Sequence, residues 1–305
     1  MSSTVSLAAD VWSYELHPEV WLVVGAIAAL GVYAVRSIGP LVVTDGAPVV
    51  TRRQVAAFWV GVVALFGAAS WPMHDIAEEA LYSVHAVQHL LIVFIIPPLF
   101  LIAMPEWLAR LVILDDSRTA RVLRVLTRPL VAGIVFNVLQ ILNFWTVVVN
   151  YSTENGAFHY SMHLAMFLSA VLMWFPVIGP LPELQMSEPG KMLYLFLMSI
   201  VPTVPAAWLT FAEGSVYAAY DHADRLWGIS VTSDQQAAGF VTKVVGGFYL
   251  WGLIALRFFR YATRQRAADD DRRRRVVAPP VLSSRDVERA LAEAGDAPPE
   301  PVLGG

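Results

Sequence analysis

Seven long apolar stretches constrain the fold of this chain more than any other feature of its sequence. A membrane-spanning helix needs about 20 mainly apolar residues, and few soluble domains contain several such runs. Charged residues make up only 15% of the chain, whereas soluble domains carry roughly a quarter. The sequence therefore predicts an all-α polytopic membrane protein, a bundle of seven transmembrane helices. The stretches run roughly from Val20 to Val35, Val55 to Trp71, Leu81 to Met104, Leu130 to Val149, Ala157 to Gly179, Met192 to Phe211 and Ala237 to Phe259.

The distribution of basic residues predicts the orientation of these spans. Cytoplasmic loops of membrane proteins carry an excess of lysine and arginine. With seven spans, three basic residues fall in the first loop, five in the third, one in the fifth and ten at or after Arg257. The opposite side carries only Arg225, and Lys243 lies within the last span. The N-terminus is therefore predicted outside and the C-terminus in the cytoplasm.

The same pattern divides the chain into three parts. Residues 1–19 form an extracytoplasmic N-terminal segment without a recognisable cleavable signal peptide, and residues 20–262 form the membrane domain. Residues 263–305 combine charge runs with proline pairs, a composition that predicts a mostly disordered cytoplasmic tail. Within the tail, residues 284–294 are expected to form a short charged helix with Ser284 as its N-cap. The tail is either a topology anchor or a docking segment.

All seven histidines fall on the outer side of this arrangement, and four of them form two pairs. His85 and His89 open the third span, and His159 and His163 open the fifth. Residues spaced i, i+4 lie on one helix face, about 6 Å apart at Cβ. Both helices start at the outer face, so at about 1.5 Å per residue both pairs lie one or two turns below it. The spacing predicts that the two pairs face each other.

Ionisable side chains inside spans are costly and commonly functional. The structural alternative is hydrogen bonding between the two helices. The pairs are not HExxH protease motifs, because Ala86 and Tyr160 occupy the position of the catalytic glutamate. Imidazole is a common metal ligand, and the chain has no cysteine to compete for soft metals. The two pairs are therefore candidate metal ligands.

Nearby methionines favour copper as the metal. Met162 and Met166 border the histidines of the fifth span, and His74 lies at the outer end of the second. Thioether and imidazole ligands suit Cu(I), although imidazole also binds zinc. We therefore expect copper, as Cu(I), held by the four paired histidines with Met162, Met166 and His74 as further candidates; zinc is the alternative.

The last span is preceded by Asp234, Gln235 and Gln236. An acid and two amides at the start of a helix can cap its N-terminus. They can also hydrogen-bond to metal-ligating histidines and orient them. Both roles remain open for Asp234 at this point.

Three segments together resemble the CtaG family of cytochrome c oxidase assembly factors. They are SVHAVQHLLIVFIIPPLFLIAMP in the third span, FHYSMHLAMFLSAVLMWFPVIGPLP in the fifth, and DQQAAGFV before the seventh, within a resemblance from about Trp21 to Tyr261. The resemblance implies a multi-pass protein of the bacterial cytoplasmic membrane that handles copper for the binuclear centre of the oxidase. In this chain Thr146 follows Trp145 where the family often has a histidine; His74 or His222 is a candidate substitute.

The leading interpretation is a copper-binding assembly factor, not an enzyme, whose partners are the oxidase subunit with the copper centre and membrane lipid. No nucleic-acid-binding motif is present. One alternative is a membrane cytochrome in which facing histidines ligate haem. Another is a proton-coupled transporter, which should place carboxylates beside the histidines; the predicted spans contain almost none.

Overall fold

The computed structural model describes residues 12–44, 46–221, 225–277 and 283–295. These residues are largely helical and include no β-strand. The chain divides into two compact units, Met1–Arg257 and Phe258–Gly305. The predicted all-α class is therefore confirmed for the described residues.

Twelve helices are used below. They are α1 Pro18–Val42, α2 Arg52–Ala69, α3 Met73–Ala80, α4 Tyr82–Ala103, α5 Glu106–Ile113, α6 Arg118–Leu126, α7 Pro129–Asn143, α8 Thr146–Glu154, α9 Gly156–Ile178, α10 Glu188–Thr210, α11 (Val231–Phe240, continuing through Val241–Val245 into Gly246–Val277) and α12 Ser284–Gly295.

Five helices, α1, α4, α9, α10 and α11, are long and apolar enough to cross a membrane. Two further pairs qualify only when each bent pair is taken as one span: α2 with α3, bent by 50°, and α6 with α7, bent by 75°. The described chain thus contains five to seven candidate spans, as expected of a multi-pass membrane protein. Each of the seven predicted stretches overlaps one of these candidate spans.

The fourth predicted span ends earlier than expected. It was placed from Leu130 to Val149, but α7 ends at Asn143 and a separate helix, α8, begins at Thr146. The Tyr217 hydroxyl donates a hydrogen bond of 3.0 Å to the Phe144 carbonyl at this break. Apolar composition indicates that a segment is buried, but it does not show where its helix ends, and the predicted boundary at Val149 is wrong.

The predicted tail differs from the structure in two respects. The last spanning helix, α11, continues to Val277, whereas disorder was expected from residue 263. Asp269 and Asp270 each precede an arginine by four residues, a spacing that stabilises a helix. The short charged helix exists as α12, but Ser284 is not its N-cap. Ser283 caps it, because its hydroxyl accepts a 3.2 Å hydrogen bond from the Asp286 N–H.

Five helices pack in a closed ring, in the order α4, α9, α7, α10 and α11. α2 packs against α4 outside this ring, and α1 packs against α2. The apolar core lies between the ring helices and includes Phe136, Met173, Trp174 and Leu195. α10 and α11 approach closely at Gly239, where a Cβ atom would lie only 2.6 Å from the Ala206 carbonyl oxygen.

Two prolines shape α4 just below its histidines. Pro97 and Pro98 have no N–H to donate to the carbonyls of Val93 and Phe94, four residues earlier. Trp174 Nε1 of α9 donates to the Val93 carbonyl at 3.0 Å, and the Tyr249 hydroxyl of α11 donates to that of Phe94 at 2.9 Å. The π-helical turn Leu91–Ile95 lies at this point. These bonds fix α4 against its two neighbours.

Candidate metal centre

The histidine pairs of α4 and α9 face each other, as their spacing predicts. The His85 ring centroid lies 5.6 Å from that of His163 and 6.2 Å from that of His159. Within the pairs, the centroid separations are 4.4 Å for His159 and His163 and 6.4 Å for His85 and His89. The rings are therefore in or near contact, with no other residue needed to bridge them.

Three of the four rings line one cleft. His85, His159 and His163 share it with Met162 and with residues of α7 and α8, including Asn143, Ser152 and Thr153. The fourth histidine, His89, instead lines a neighbouring cavity within the helix ring.

That neighbouring cavity is partly polar. Gln140 of α7, Thr203 of α10 and Thr242 of α11 line it together with His89. His89 therefore lies one helical turn beyond the shared cleft, and the predicted four-histidine set is divided between two adjoining spaces.

His74 joins the cluster from α3, and it brings a carboxylate that the sequence analysis missed. The His74 ring centroid lies 5.7 Å from that of His159. Glu78 Oε2 lies 2.8 Å from His74 Nε2 and 3.7 Å from His159 Nε2. The i, i+4 spacing of His74 and Glu78 is a detectable signal, but it was overlooked because these residues lie beyond the predicted end of the second span. The predicted spans contain almost no carboxylate, but Glu78, which lies between the second and third of them, supplies an acidic neighbour to the histidines.

A further histidine extends the cluster outward. His17 precedes α1; its ring centroid is 4.9 Å from that of His74, and its Nε2 atom is 2.7 Å from Asp75 Oδ1. Glu19 Oε1 lies 3.3 Å from His17 Nδ1. Burial alone lowers the pKa of His17, but the hydrogen bond and charge of Asp75, with those of Glu19, outweigh it and raise this pKa.

Several imidazole nitrogens in the cluster are buried without a hydrogen-bond partner. Among the described residues, these are His85 Nδ1, His89 Nε2 and His159 Nε2. A buried polar atom with no partner costs about 1–3 kcal/mol, and native proteins contain few of them. A metal ion bound between the rings would satisfy such nitrogens, so the donor set fits a metal.

The two candidate methionines occupy different environments. Met162 lines the cleft with the three histidines. Met166 is only 1% exposed and belongs to the apolar core with Phe136 and Met173. Met162 is therefore the methionine placed to contact an ion in the cleft.

Asp234 caps a helix, but not its own. Ser230 caps α11 by accepting a 3.2 Å hydrogen bond from the Ser233 N–H. The two Asp234 carboxylate oxygens accept hydrogen bonds of 2.9 Å and 3.0 Å from the N–H groups of Tyr82 and Ser83, at the start of α4.

This cap acts on the histidines through the backbone. No described hydrogen bond joins the Asp234 carboxylate to an imidazole; it fixes the first turn of α4, three residues before His85. The Tyr82 ring in that turn stacks on His85, with centroids 5.4 Å apart and planes 12° from parallel. Asp234 thus positions His85 indirectly.

The two glutamines hold the loop that follows α10. Gln235 Oε1 accepts hydrogen bonds of 2.8 Å from the Val216 N–H and 3.2 Å from the Tyr217 N–H, and its Nε2 donates to the Tyr217 carbonyl at 3.1 Å. Gln236 Nε2 donates to the Ala212 carbonyl at 3.0 Å. The Tyr217 ring then packs on Tyr82, with centroids 4.5 Å apart, so the loop supports the same turn of α4.

The structure does not establish either His74 or His222 as the replacement for the family histidine at position 146. Thr146 begins α8 and is not among the residues that line the cleft. His222 lies outside the described residues. His74 is in the cluster, as described above.

These features define a multi-pass helical membrane protein with a buried histidine–carboxylate cluster, gathered where α4 and α9 begin. The family model of the cytochrome c oxidase caa3 assembly factor, Caa3_CtaG, matches residues 29–264. The chain therefore belongs to this family, and the predicted resemblance is confirmed. Searches of curated proteins and of solved structures gave no match to this chain.

Proposed function

We propose that this assembly factor binds copper in the histidine cluster and passes it to the oxidase subunit that carries the copper centre. The observation that supports this most directly is the convergence of His85, His159 and His163 on one cleft, with buried nitrogens that have no protein partner. His89 and His74 extend the ligand set on either side. The role is carriage of a metal, so no chemical step is catalysed.

The proposal includes a complete topology of seven spans with the N-terminus outside. Each bent pair then counts as one span. The basic-residue bias places the starts of α4 and α9, and with them the histidine cluster, near the outer face of the bacterial cytoplasmic membrane. An ion arriving from outside would therefore reach the cluster without crossing the apolar core.

The donor chemistry favours copper. The cleft offers three imidazoles and the Met162 thioether, a combination that suits Cu(I). Transfer requires only ligand exchange: each copper–nitrogen bond breaks as a bond to the acceptor forms, and no electron moves. Ligands contributed by separate helices, beside a cleft rather than inside a closed cage, are suited to such release.

The haem alternative is less well supported by the geometry. The His85 and His163 rings meet edge-to-face, at an interplanar angle of 70° and a centroid separation of 5.6 Å. A porphyrin held between two axial imidazoles would have to occupy the space in which these rings lie. A Soret band in the purified protein would favour haem and contradict the copper proposal.

Removing single ligands tests the proposal. We expect His85→Ala and His163→Ala to lower copper retention at least tenfold, because losses even in the surroundings of a metal typically cost 10–100-fold in affinity. Oxidase activity in cells should fall at limiting copper and partly recover when copper is added, since occupancy depends on free metal.

Ser169→Ala is the matched control. Ser169 is buried in the same helix as His163, but its hydroxyl donates to the Met166 carbonyl of its own helix. This variant should retain copper and oxidase activity. Normal oxidase activity in the His85→Ala, His163→Ala double variant at limiting copper would contradict copper delivery.

A further inference from the structure

We propose that His74, Glu78 and His159 form a second metal site, which binds a divalent cation of the zinc type. It adjoins the softer cleft of His85, Met162 and His163. It shares His159 with that cleft, but its existence does not depend on copper delivery, because its carboxylate ligand and its test are separate. Glu78 is the ligand that distinguishes the two sites.

The positions of the ligand atoms suit such an ion. One donor atom from each of the three residues lies within 4.8 Å of the other two. Zinc binds imidazole nitrogen and carboxylate oxygen at about 2.0–2.2 Å in tetrahedral geometry, which separates neighbouring ligand atoms by about 3.4 Å. The separations of Glu78 Oε2 from the two histidine nitrogens, 2.8 Å and 3.7 Å, lie on either side of this value.

Each histidine is held through its other ring nitrogen. Ser152 Oγ lies 3.1 Å from His159 Nδ1, and Gln88 Nε2 lies 3.4 Å from His74 Nδ1. A metal-ligating histidine characteristically donates its other ring N–H to an acceptor. The Ser152 hydroxyl can accept in this way from His159, whereas the Gln88 amide group donates to His74. His159 Nε2, the atom directed at Glu78, is buried and has no hydrogen-bond partner.

The three residues supply two nitrogens and one oxygen, with no sulfur. A carboxylate with imidazoles suits zinc, whereas a thioether favours Cu(I). The negative charge of Glu78 also offsets part of the charge of a divalent ion, which Met162 cannot do. Three protein ligands leave one tetrahedral position for water or for an incoming ligand.

Access to this site differs from access to the cleft. The Glu78 side chain is 24% exposed, while those of His74 and His159 are 5% and 3% exposed. His17 with Asp75 lies beside His74. An ion would therefore approach from the side of His17 and meet Glu78 first. When the divalent ion is bound to His159, copper can still bind to His85, His163 and Met162.

Equilibrium dialysis of the purified full-length protein against ZnCl2, and titration with Cu(I) against a chromophoric chelator, test the assignment. We expect Glu78→Gln to weaken zinc binding at least tenfold and to leave Cu(I) binding within about twofold. Met162→Leu should do the reverse. Glu79→Gln, which removes the neighbouring carboxylate, is the matched control and should change neither. Unchanged zinc affinity in Glu78→Gln would overturn the assignment.

X-ray absorption of the zinc-loaded wild-type protein gives a result that does not require a variant to fold. The proposed site predicts only nitrogen and oxygen neighbours, at about 2.0–2.2 Å. A sulfur neighbour would place zinc beside Met162 and would also overturn the assignment. If Cu(I) binding is lost in the His85→Ala, His163→Ala variant while zinc binding persists, the two sites are independent. A wild-type protein that binds zinc but no Cu(I) would contradict only the copper proposal.

Discussion

At the scale of single residues, the site depends on side chains that support a histidine as much as on the histidines themselves. Asp234 is 1% exposed and accepts hydrogen bonds from two N–H groups at the start of α4. Arg225 is the nearest described cation, with its Nη2 atom 3.6 Å from Asp234 Oδ2. An anion is favourable at a helix N-terminus, and here it comes from a neighbouring helix.

Asp234→Asn should therefore destabilise the protein. The asparagine side chain has one acceptor oxygen, and its amide group would face an N–H of α4 as a second donor. Leaving a buried N–H without an acceptor costs about 1–3 kcal/mol. We expect a lower thermal unfolding midpoint in detergent, together with weaker metal binding, because the turn that orients His85 is loosened.

The control for this prediction is Ser233→Ala, a change to the neighbouring residue of α11. Ser233 is exposed, and its side chain accepts a hydrogen bond from Ser230, its one such partner among the described residues. This variant should unfold at nearly the wild-type temperature. An Asp234→Asn protein as stable as wild type would show that the cap contributes little.

At the scale of secondary-structure elements, α4 is the helix through which the site is assembled. It carries His85 and His89, packs against α2, α9 and α11, and contains two prolines that leave carbonyls without helical partners. Because Trp174 of α9 and Tyr249 of α11 donate to those carbonyls, these two hydrogen bonds join α4 to both neighbouring helices.

Trp174→Phe tests this arrangement. Phenylalanine retains much of the ring volume but has no N–H for the Val93 carbonyl, so the free energy of unfolding should fall by about 1–3 kcal/mol. Adding Pro97→Ala should restore part of the loss, because the new N–H can donate to Val93. Denaturant unfolding curves of the wild type, the two single variants and the double variant measure this coupling as a double-mutant cycle.

An exposed tryptophan provides the comparison. Trp208 is 54% exposed on α10, and Trp208→Phe should leave the unfolding curve almost unchanged. Additive effects of Trp174→Phe and Pro97→Ala would mean that the Val93 carbonyl does not couple these two residues.

At the scale of the whole molecule, the proposed metal carriage depends on orientation, because orientation decides which compartment the histidine cluster faces. A reporter fused after Thr263 should be active in the cytoplasm, and one inserted near Asp221 should be active outside. The reason is the bias of basic residues toward one side of the seven spans. Alkaline phosphatase and fluorescent-protein fusions read the two sides independently, and the opposite pattern would place the histidine cluster on the cytoplasmic side.

The sequence alone determined the class of the molecule and the principal metal-ligand candidates. Apolar length indicated the spans because the bilayer has a fixed thickness. The i, i+4 spacing of His85 with His89 and of His159 with His163 indicated that each pair shares a face, since helix geometry is local. The same local rules missed Glu78, whose nearness to His159 depends on the bend of 50° between α2 and α3.

Only the tertiary structure decided what each supporting residue does. Asp234 could cap its own helix or orient a histidine, and it instead caps α4, 151 and 152 positions away from it in sequence. Met162 and Met166 look alike in sequence, yet one lines the cleft and the other lies in the core. Sequence patterns report interactions within a helix, whereas these roles depend on which side chains of other helices pack against it.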